Sequence, residues 1–304
     1  MSRKRLTAII AVCVVAIIVA VVIRTQTEIP PIDDPIVNFP DPNLEAAMRE
    51  ALDKPEGDIR ASELQNLTSL SAPNREIEDL SGLEYCSDLA MLSIRSNQIS
   101  DISPLVNLTN LTHLGIGGNQ IEDLSLLVNL SNLTHLELAD SELSDLSLIA
   151  SLSNLTWLEL GGNKITNITA LVHLTHLTWL YLRDNLISDI SPLAELTGLT
   201  ELELGENEIV DIPPLAGLTG LTWLELDNNQ ISDLLPLANL TALTRLYLSS
   251  NMIADISPLV DNHGLGQGNM VDLRDNPLSE YSVNTLIPKL EAKGVNVFSN
   301  TGTG

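Results

Sequence analysis

From residue 89 to residue 260, apolar side chains return on a 22-residue cycle that contains two different rhythms. Leu199–Gly220 reads LTELELGENEIVDIPPLAGLTG, and the next stretch, LTWLELDNNQISDLLPLANLTA, restates it position for position. In the first half apolar and polar residues alternate, as in a strand, with Leu202 and Leu204 on one face. In the second half Ile209, Ile212, Leu215 and Leu218 recur about every three residues, in a stretch too short and too rich in proline for a full helix. A short 3-10 or irregular turn is predicted there. One such unit cannot bury its own leucines, so neighbouring coils must stack and their strands must pair in parallel. The cycle therefore predicts an α/β solenoid, with a curved parallel sheet on the concave side and 3-10 or irregular turns on the convex side.

The register is held by a column of asparagines, Asn97, Asn119, Asn163, Asn185, Asn207, Asn229 and Asn251, with Ser141 in the one position where the residue changes. Each stands where the chain leaves the strand, so its amide is expected to bond the backbone of adjacent coils. The phrase L-x-x-L-x-L-x-x-N-x-I, its 22-residue period and the I-S-P-L turn (Ile102–Leu105, Ile190–Leu193, Ile256–Leu259) resemble bacterial leucine-rich repeat proteins of internalin type. The resemblance spans roughly residues 35 to 300 and implies a capped, curved repeat array. It does not name a ligand, because one scaffold serves unrelated partners. No immunoglobulin-like region or wall-sorting motif follows the repeats, so host invasion is not carried over.

The ends break the cycle. Arg3, Lys4 and Arg5 precede an uncharged apolar run, so residues 1–23 are read as a membrane-targeting segment. The run is long for a signal peptide and lacks a small-x-small site at its end. An uncleaved anchor is the reading, with cleavage near Ala20 and secretion as the alternative. The basic residues before the run place the repeats outside the cytoplasmic membrane. Cys13 lies mid-span behind Val12, which argues against a lipoprotein signal. Residues 24–40, with four prolines, are expected to form an extended tether. Residues 41–75 are expected to form a helical cap that starts at Asp41-Pro42 and places Leu44, Ala47, Met48, Ala51 and Leu52 on one face. Repeats then fill 76–260, and 261–304 carries the last repeat and a C-terminal cap with Val283, Leu286, Ile287 and Leu290 inward and Gly294 at the helix end.

Charge narrows the partners. Forty acidic residues against fifteen basic ones leave a net charge of -25, which disfavours nucleic acid. Cys86 occupies a position that is leucine in other coils and is read as a buried thiol. The N-x-S/T triplets fall out of the repeated N-L-T phrase and carry no glycosylation reading.

Because side chains alternate across a strand, three columns should leave the concave face. Six residues before each Asn stand Met91, His113, His135, Trp157, Trp179, Glu201, Trp223 and Arg245. Four before stand Ser93, Gly115, Glu137, Glu159, Tyr181, Glu203, Glu225 and Tyr247; two before stand Arg95, Gly117, Ala139, Gly161, Arg183, Gly205, Asp227 and Ser249. All three tryptophans and two of four tyrosines thus share one face, although the core needs none of them, and aromatics are expected to avoid the convex side. Trp157, Trp179, Tyr181, Trp223 and Tyr247 are the expected anchors of a binding site, with Trp157 and Trp179 stacked. Glu137, Glu159, Glu201, Glu203, Glu225 and Asp227, with Arg183 among them, give it an acidic surround.

A protein partner with a basic patch is the favoured reading, and a cell-envelope glycan or a purely structural role are the alternatives. Glu137 and Glu159 face each other on adjacent strands, as a glycosidase pair would, yet an open sheet excludes no water and offers no third group, so no enzyme is read. His113 and His135 lack a third ligand, and the Asp79, Asp101, Asp123, Asp145, Asp189, Asp211, Asp233, Asp255 column, one per coil, is read as turn caps rather than calcium ligands. No metal or cofactor is expected.

Overall fold

The computed structural model describes residues 34–300. The apolar run at residues 1–23 lies outside them; among the described residues no helix is long and apolar enough to cross a membrane.

Eleven three-residue strands form one sheet in chain order: β1 (Ser69–Ser71), β2 (Met91–Ser93), β3 (His113–Gly115), β4 (His135–Glu137), β5 (Trp157–Glu159), β6 (Trp179–Tyr181), β7 (Glu201–Glu203), β8 (Trp223–Glu225), β9 (Arg245–Tyr247), β10 (Met270–Asp272) and β11 (Asn296–Phe298). Every neighbouring pair is parallel and in register, so repeat-equivalent residues stand side by side: Leu158 beside Leu180, Leu180 beside Leu202. The middle residue of each strand from β1 to β10 is buried and the flanking two look outward, as the alternation predicts.

Turns rather than helices cross the other side. Ser191–Glu195, Thr169–His173 and Pro213–Gly217 are 3-10 turns, each burying one leucine, and Ser257–Asp261 makes a single α-turn. The aspartate column caps these turns locally. Asp189 Oδ1 accepts the Ser191 N–H at 2.8 Å and Asp101 Oδ1 that of Ser103 at 2.7 Å. Stacked coils of this kind curve, with the sheet on the concave side.

The first helix runs Pro42–Ala51 and buries Leu44, Ala47 and Met48. Ala51 is exposed rather than part of that apolar face, because the helix ends there and Leu52 turns inward. The tether expected to reach Pro40 gives way sooner. Val37 N donates to Ile59 O at 2.8 Å, and Val37 and Phe39 are buried in the cap. Gly82, with φ of +104°, leaves room for the Phe39 ring, since a Cβ there would lie 2.5 Å from it.

At the other end a wide helical turn (Ser282–Leu286) runs into the helix Ile287–Ala292, burying Leu286, Ile287 and Leu290, and Gly294 follows with φ of +90°. Val283 is only half-buried. Beyond it Asn296–Phe298 adds the last strand. Cys86 is fully buried, and burial, helped by Glu84, pushes its thiol up to about 12, so it packs as an apolar group.

Candidate functional site

The asparagine ladder sets the concave face by fixing where every strand begins to turn. Asn185 Nδ2 donates to Leu160 O and Leu182 O, both at 3.0 Å, while Oδ1 accepts the Ile165 N–H at 3.0 Å. The same pattern repeats at Asn97, Asn119, Asn163, Asn207, Asn229 and Asn251. Three outward columns result, and all twelve residues expected to form the site lie on them.

The aromatic anchors are half-buried rather than free. Trp157 and Trp179 are paired in register, but their expected stack is not among the ring contacts of the described residues. Trp157 instead meets Tyr181 edge-on, centroids 5.6 Å apart and planes at 64°, and lies 6.2 Å from His135, nearly parallel at 21°. His135 in turn stacks on His113 at 4.0 Å. Trp223 contacts Tyr247 at 5.9 Å, and the Arg245 guanidinium lies 4.6 Å over the Trp223 ring. Aromatics are not confined to this face. Tyr85, in the turn Leu83–Tyr85, is exposed on the opposite side, and Tyr281 is exposed in the C-terminal cap.

The acidic residues divide by their partners. Glu137 accepts Arg95 Nη1 at 2.9 Å, and Glu159 folds onto its own strand to accept the Gly161 N–H at 2.7 Å. The two facing carboxylates are thus occupied separately and do not converge on a shared point. Asp227 is buried, and both its oxygens take Arg183, at 3.0 and 3.1 Å; Arg183 also reaches Glu206 and lies 3.6 Å from Glu225. Tyr181 Oη donates to Glu201 Oε2 at 3.0 Å, and Trp223 Nε1 to Glu225 Oε1 at 2.9 Å.

Burial and crowding of like charge act on these groups. Burial raises the carboxyl of Glu159 against the Gly161 N–H, with Glu137 and Asp140 adding to the rise. Burial, then Glu225 and Glu159, raise Glu203 to about 7, against the pull of Arg183. Glu225 is raised by burial and Asp227. Among the described residues neither Glu201 nor Glu203 makes an ion pair. A half-buried carboxyl near 7 in that setting is short of positive charge.

A second feature of the same face escapes the column reading. A hollow of about 380 Å³ opens over β1 to β5, lined by Ser69, Ser71, Met91, Ser93, Arg95, Gly115, the two stacked histidines and Trp157. Thr112 Oγ1 donates to Ala90 O, and Thr134 Oγ1 to Thr112 O. Each hydroxyl therefore accepts the adjacent imidazole Nδ1–H, at 2.9 Å, which leaves the Nε2 atoms as acceptors. Burial and His113 push His135 below the ordinary histidine value. The sequence signal was the run of serines and glycines in columns that carry large residues farther along. Among the described residues no group of three or more His, Cys, Asp or Glu is placed to hold a metal ion.

Residues 131–187 and 175–231 match the leucine rich repeat family model, and a two-copy leucine rich repeats model matches 87–129, 109–151 and 219–261. No curated protein matches the sequence. Among solved structures, an internalin from Listeria monocytogenes is 34% identical over 86% of this chain and 90% of its own, with a TM-score of 0.64. Internalin C2 from the same organism is 40% identical over 67% of this chain and 92% of its own, with a TM-score of 0.65. A Leptospira interrogans leucine-rich repeat protein is 25% identical over 78% of this chain and 62% of its own, at a TM-score of 0.70. Period, ladder, turn chemistry and these matches agree: the chain belongs to the internalin-type leucine-rich repeat proteins.

Proposed function

We propose that this protein is a non-enzymatic binding module that docks a protein partner on the concave face of its sheet, outside the cytoplasmic membrane. The observation that carries the reading is the placement of Trp157, Trp179, Tyr181, Trp223 and Tyr247 on one outward face of β5, β6, β8 and β9, amid carboxylates. Rings held by their neighbours, as Trp157, Tyr181, Trp223 and Tyr247 are, lose little side-chain entropy on docking, which suits them as anchors. A basic patch is the complementary surface, since carboxylates outnumber Arg183 and Arg245 across β5 to β9. The basic residues ahead of the apolar run support the extracytoplasmic side, and the anchor or secreted forms differ only in cleavage.

A photo-crosslinking amino acid at position 249, on the concave face beside the site residues, and at position 186, exposed on the flank, tests this in the full chain. Docking predicts crosslinks to one protein species from 249, weakened by salt and absent from 186. Crosslinks from 186 alone, or salt-resistant retention on purified wall glycan, contradict it and favour the flank or the glycan.

A further inference from the structure

The repeat allows one coil to be compared with another inside the same molecule. Trp179 and Trp223 occupy equivalent positions two coils apart, and each has one residue beside it on the next strand. Beside Trp223 that residue is Arg245, whose guanidinium covers the indole at 4.6 Å. Beside Trp179 it is Glu201. The first ring thus carries its own cation, while the second carries a carboxylate and no ring or cation contact among the described residues.

The neighbouring carboxylates show the same division. Asp227 takes a fork from Arg183, with Nη1 on Oδ1 and Nη2 on Oδ2, yet Glu203, between Tyr181 and Glu225 in the sheet, has no basic group bound to it. Glutamates on a solvated strand are ordinary and would mark nothing alone. What marks this place is that guanidinium groups already sit on the equivalent indole and on Asp227, diagonal to Glu203 in the next coil, so the surface accepts that cation in both modes.

We propose that Trp179, Glu201 and Glu203 form a seat for one arginine side chain of the docked partner, its guanidinium stacked on the Trp179 ring and forked onto Glu203. The seat rests on the concave-docking reading above and names the chemistry that docking uses. Arginine fits better than lysine because a planar group stacks on indole and presents two parallel N–H donors, whereas an ammonium does neither. Tyr181 Oη, already donating to Glu201, fixes that carboxylate as the second wall. Glu203 lies near 7, with Glu225, Glu159 and Glu201 as its acidic neighbours and Arg183 as its basic one. An arriving guanidinium therefore expels the proton that Glu203 holds at mildly acidic pH.

The test titrates the full chain with N-acetyl-arginine amide and N-acetyl-lysine amide, following the Trp179 indole and the Glu203 carboxyl by NMR. The arginine amide should move both signals, with the lysine amide about fivefold weaker. Ionisation of a carboxyl near 7 predicts that arginine affinity falls about tenfold from pH 8 to pH 6. Glu203→Gln keeps the side chain's size, so the fold should survive, while affinity falls about tenfold and the pH dependence is lost. Equal binding of both amides, signals that move elsewhere on the face, or pH dependence that survives in Glu203→Gln would each overturn the seat. If the amide leaves Trp179 and Glu203 unmoved while a crosslinker at 249 still captures a protein, the seat is wrong and the docking reading stands. If the amide binds as described and no protein is captured from 249, the docking reading fails, and with it the partner assigned to the seat.

Discussion

Asn163 reaches back a full coil to Leu143: its Oδ1 accepts the Leu143 N–H at 2.9 Å while its Nδ2 donates to Leu138 O at 2.9 Å and Leu160 O at 2.8 Å. One side chain therefore satisfies backbone groups of two coils that no strand pairing reaches. Asn163→Ala leaves them unpaired next to the core and should cost about 1 to 3 kcal/mol. Thermal unfolding measures this directly, and an unchanged midpoint would remove the ladder from the account of stability.

Ser141 is the gap in that ladder. Its hydroxyl donates only to Ala139 O, at 3.1 Å, and reaches no neighbouring coil. Elsewhere the N–H twenty residues back, such as Ile99 or Ile165, bonds an asparagine Oδ1. Ile121 holds that place here, half-buried, and a cleft of about 810 Å³ opens beside it along Leu124, Leu143 and Leu148. Ser141→Asn restores the missing acceptor and should stabilise by about 0.5 to 1.5 kcal/mol. Amide exchange at Ile121 should slow at the same time, and exchange that stays as fast as in the parent would show that the gap is not an absent hydrogen bond.

The N-terminal cap is held by a carboxylate. Asp41 Oδ1 accepts the N–H groups of Asn43 and Leu44, and Oδ2 those of Glu78 and Asp79, which ties the cap helix to the first coil. Burial alone would raise this carboxyl, but the four N–H donors outweigh it and hold it below the ordinary value. With the folded value depressed, ionised Asp41 contributes stability that is complete above the unfolded value near 4 and is lost as pH falls through the lower folded one. Wild type should therefore lose its cap more steeply on acidification below about pH 4 than Asp41→Asn does. Parallel acid profiles for the two would contradict this.

The two tryptophans of the central strands should behave differently. Trp157 is wedged between His135 and Tyr181, so Trp157→Ala forfeits two aromatic contacts and should cost about 1 to 2 kcal/mol. Trp179 makes no such ring contact among the described residues, so Trp179→Ala should cost clearly less and act mainly on binding. Denaturant unfolding of the two variants gives the order, and the reverse order would mean that Trp179 is the packed ring.

Fold and face were legible in the sequence because both follow from backbone repetition. A 22-residue period fixes which residues stand side by side, and the asparagine and aspartate columns bond backbone a few residues, or one coil, away. The contacts within the face were less legible, since they depend on side-chain direction across parallel strands. Trp157 goes diagonally to Tyr181 rather than across to Trp179. Arg183 reaches Asp227 two strands away because Gly205 stands between them, where a Cβ would lie 2.6 Å from the guanidinium. The hollow over β1 to β5 comes from what is missing in Ser69, Ser93 and Gly115. Val37 and Phe39 joined the cap because two alternating apolar residues outweigh the prolines around them.

The most direct test of the concave face as the binding surface is acrylamide quenching of the three tryptophans in the full chain, alone, with a basic exported protein fraction and with purified wall glycan. Docking predicts that all three are quenched in the free protein, that the basic protein protects them, and that high salt removes the protection. Indoles shielded without any ligand, or protection by glycan that salt leaves intact, would contradict it.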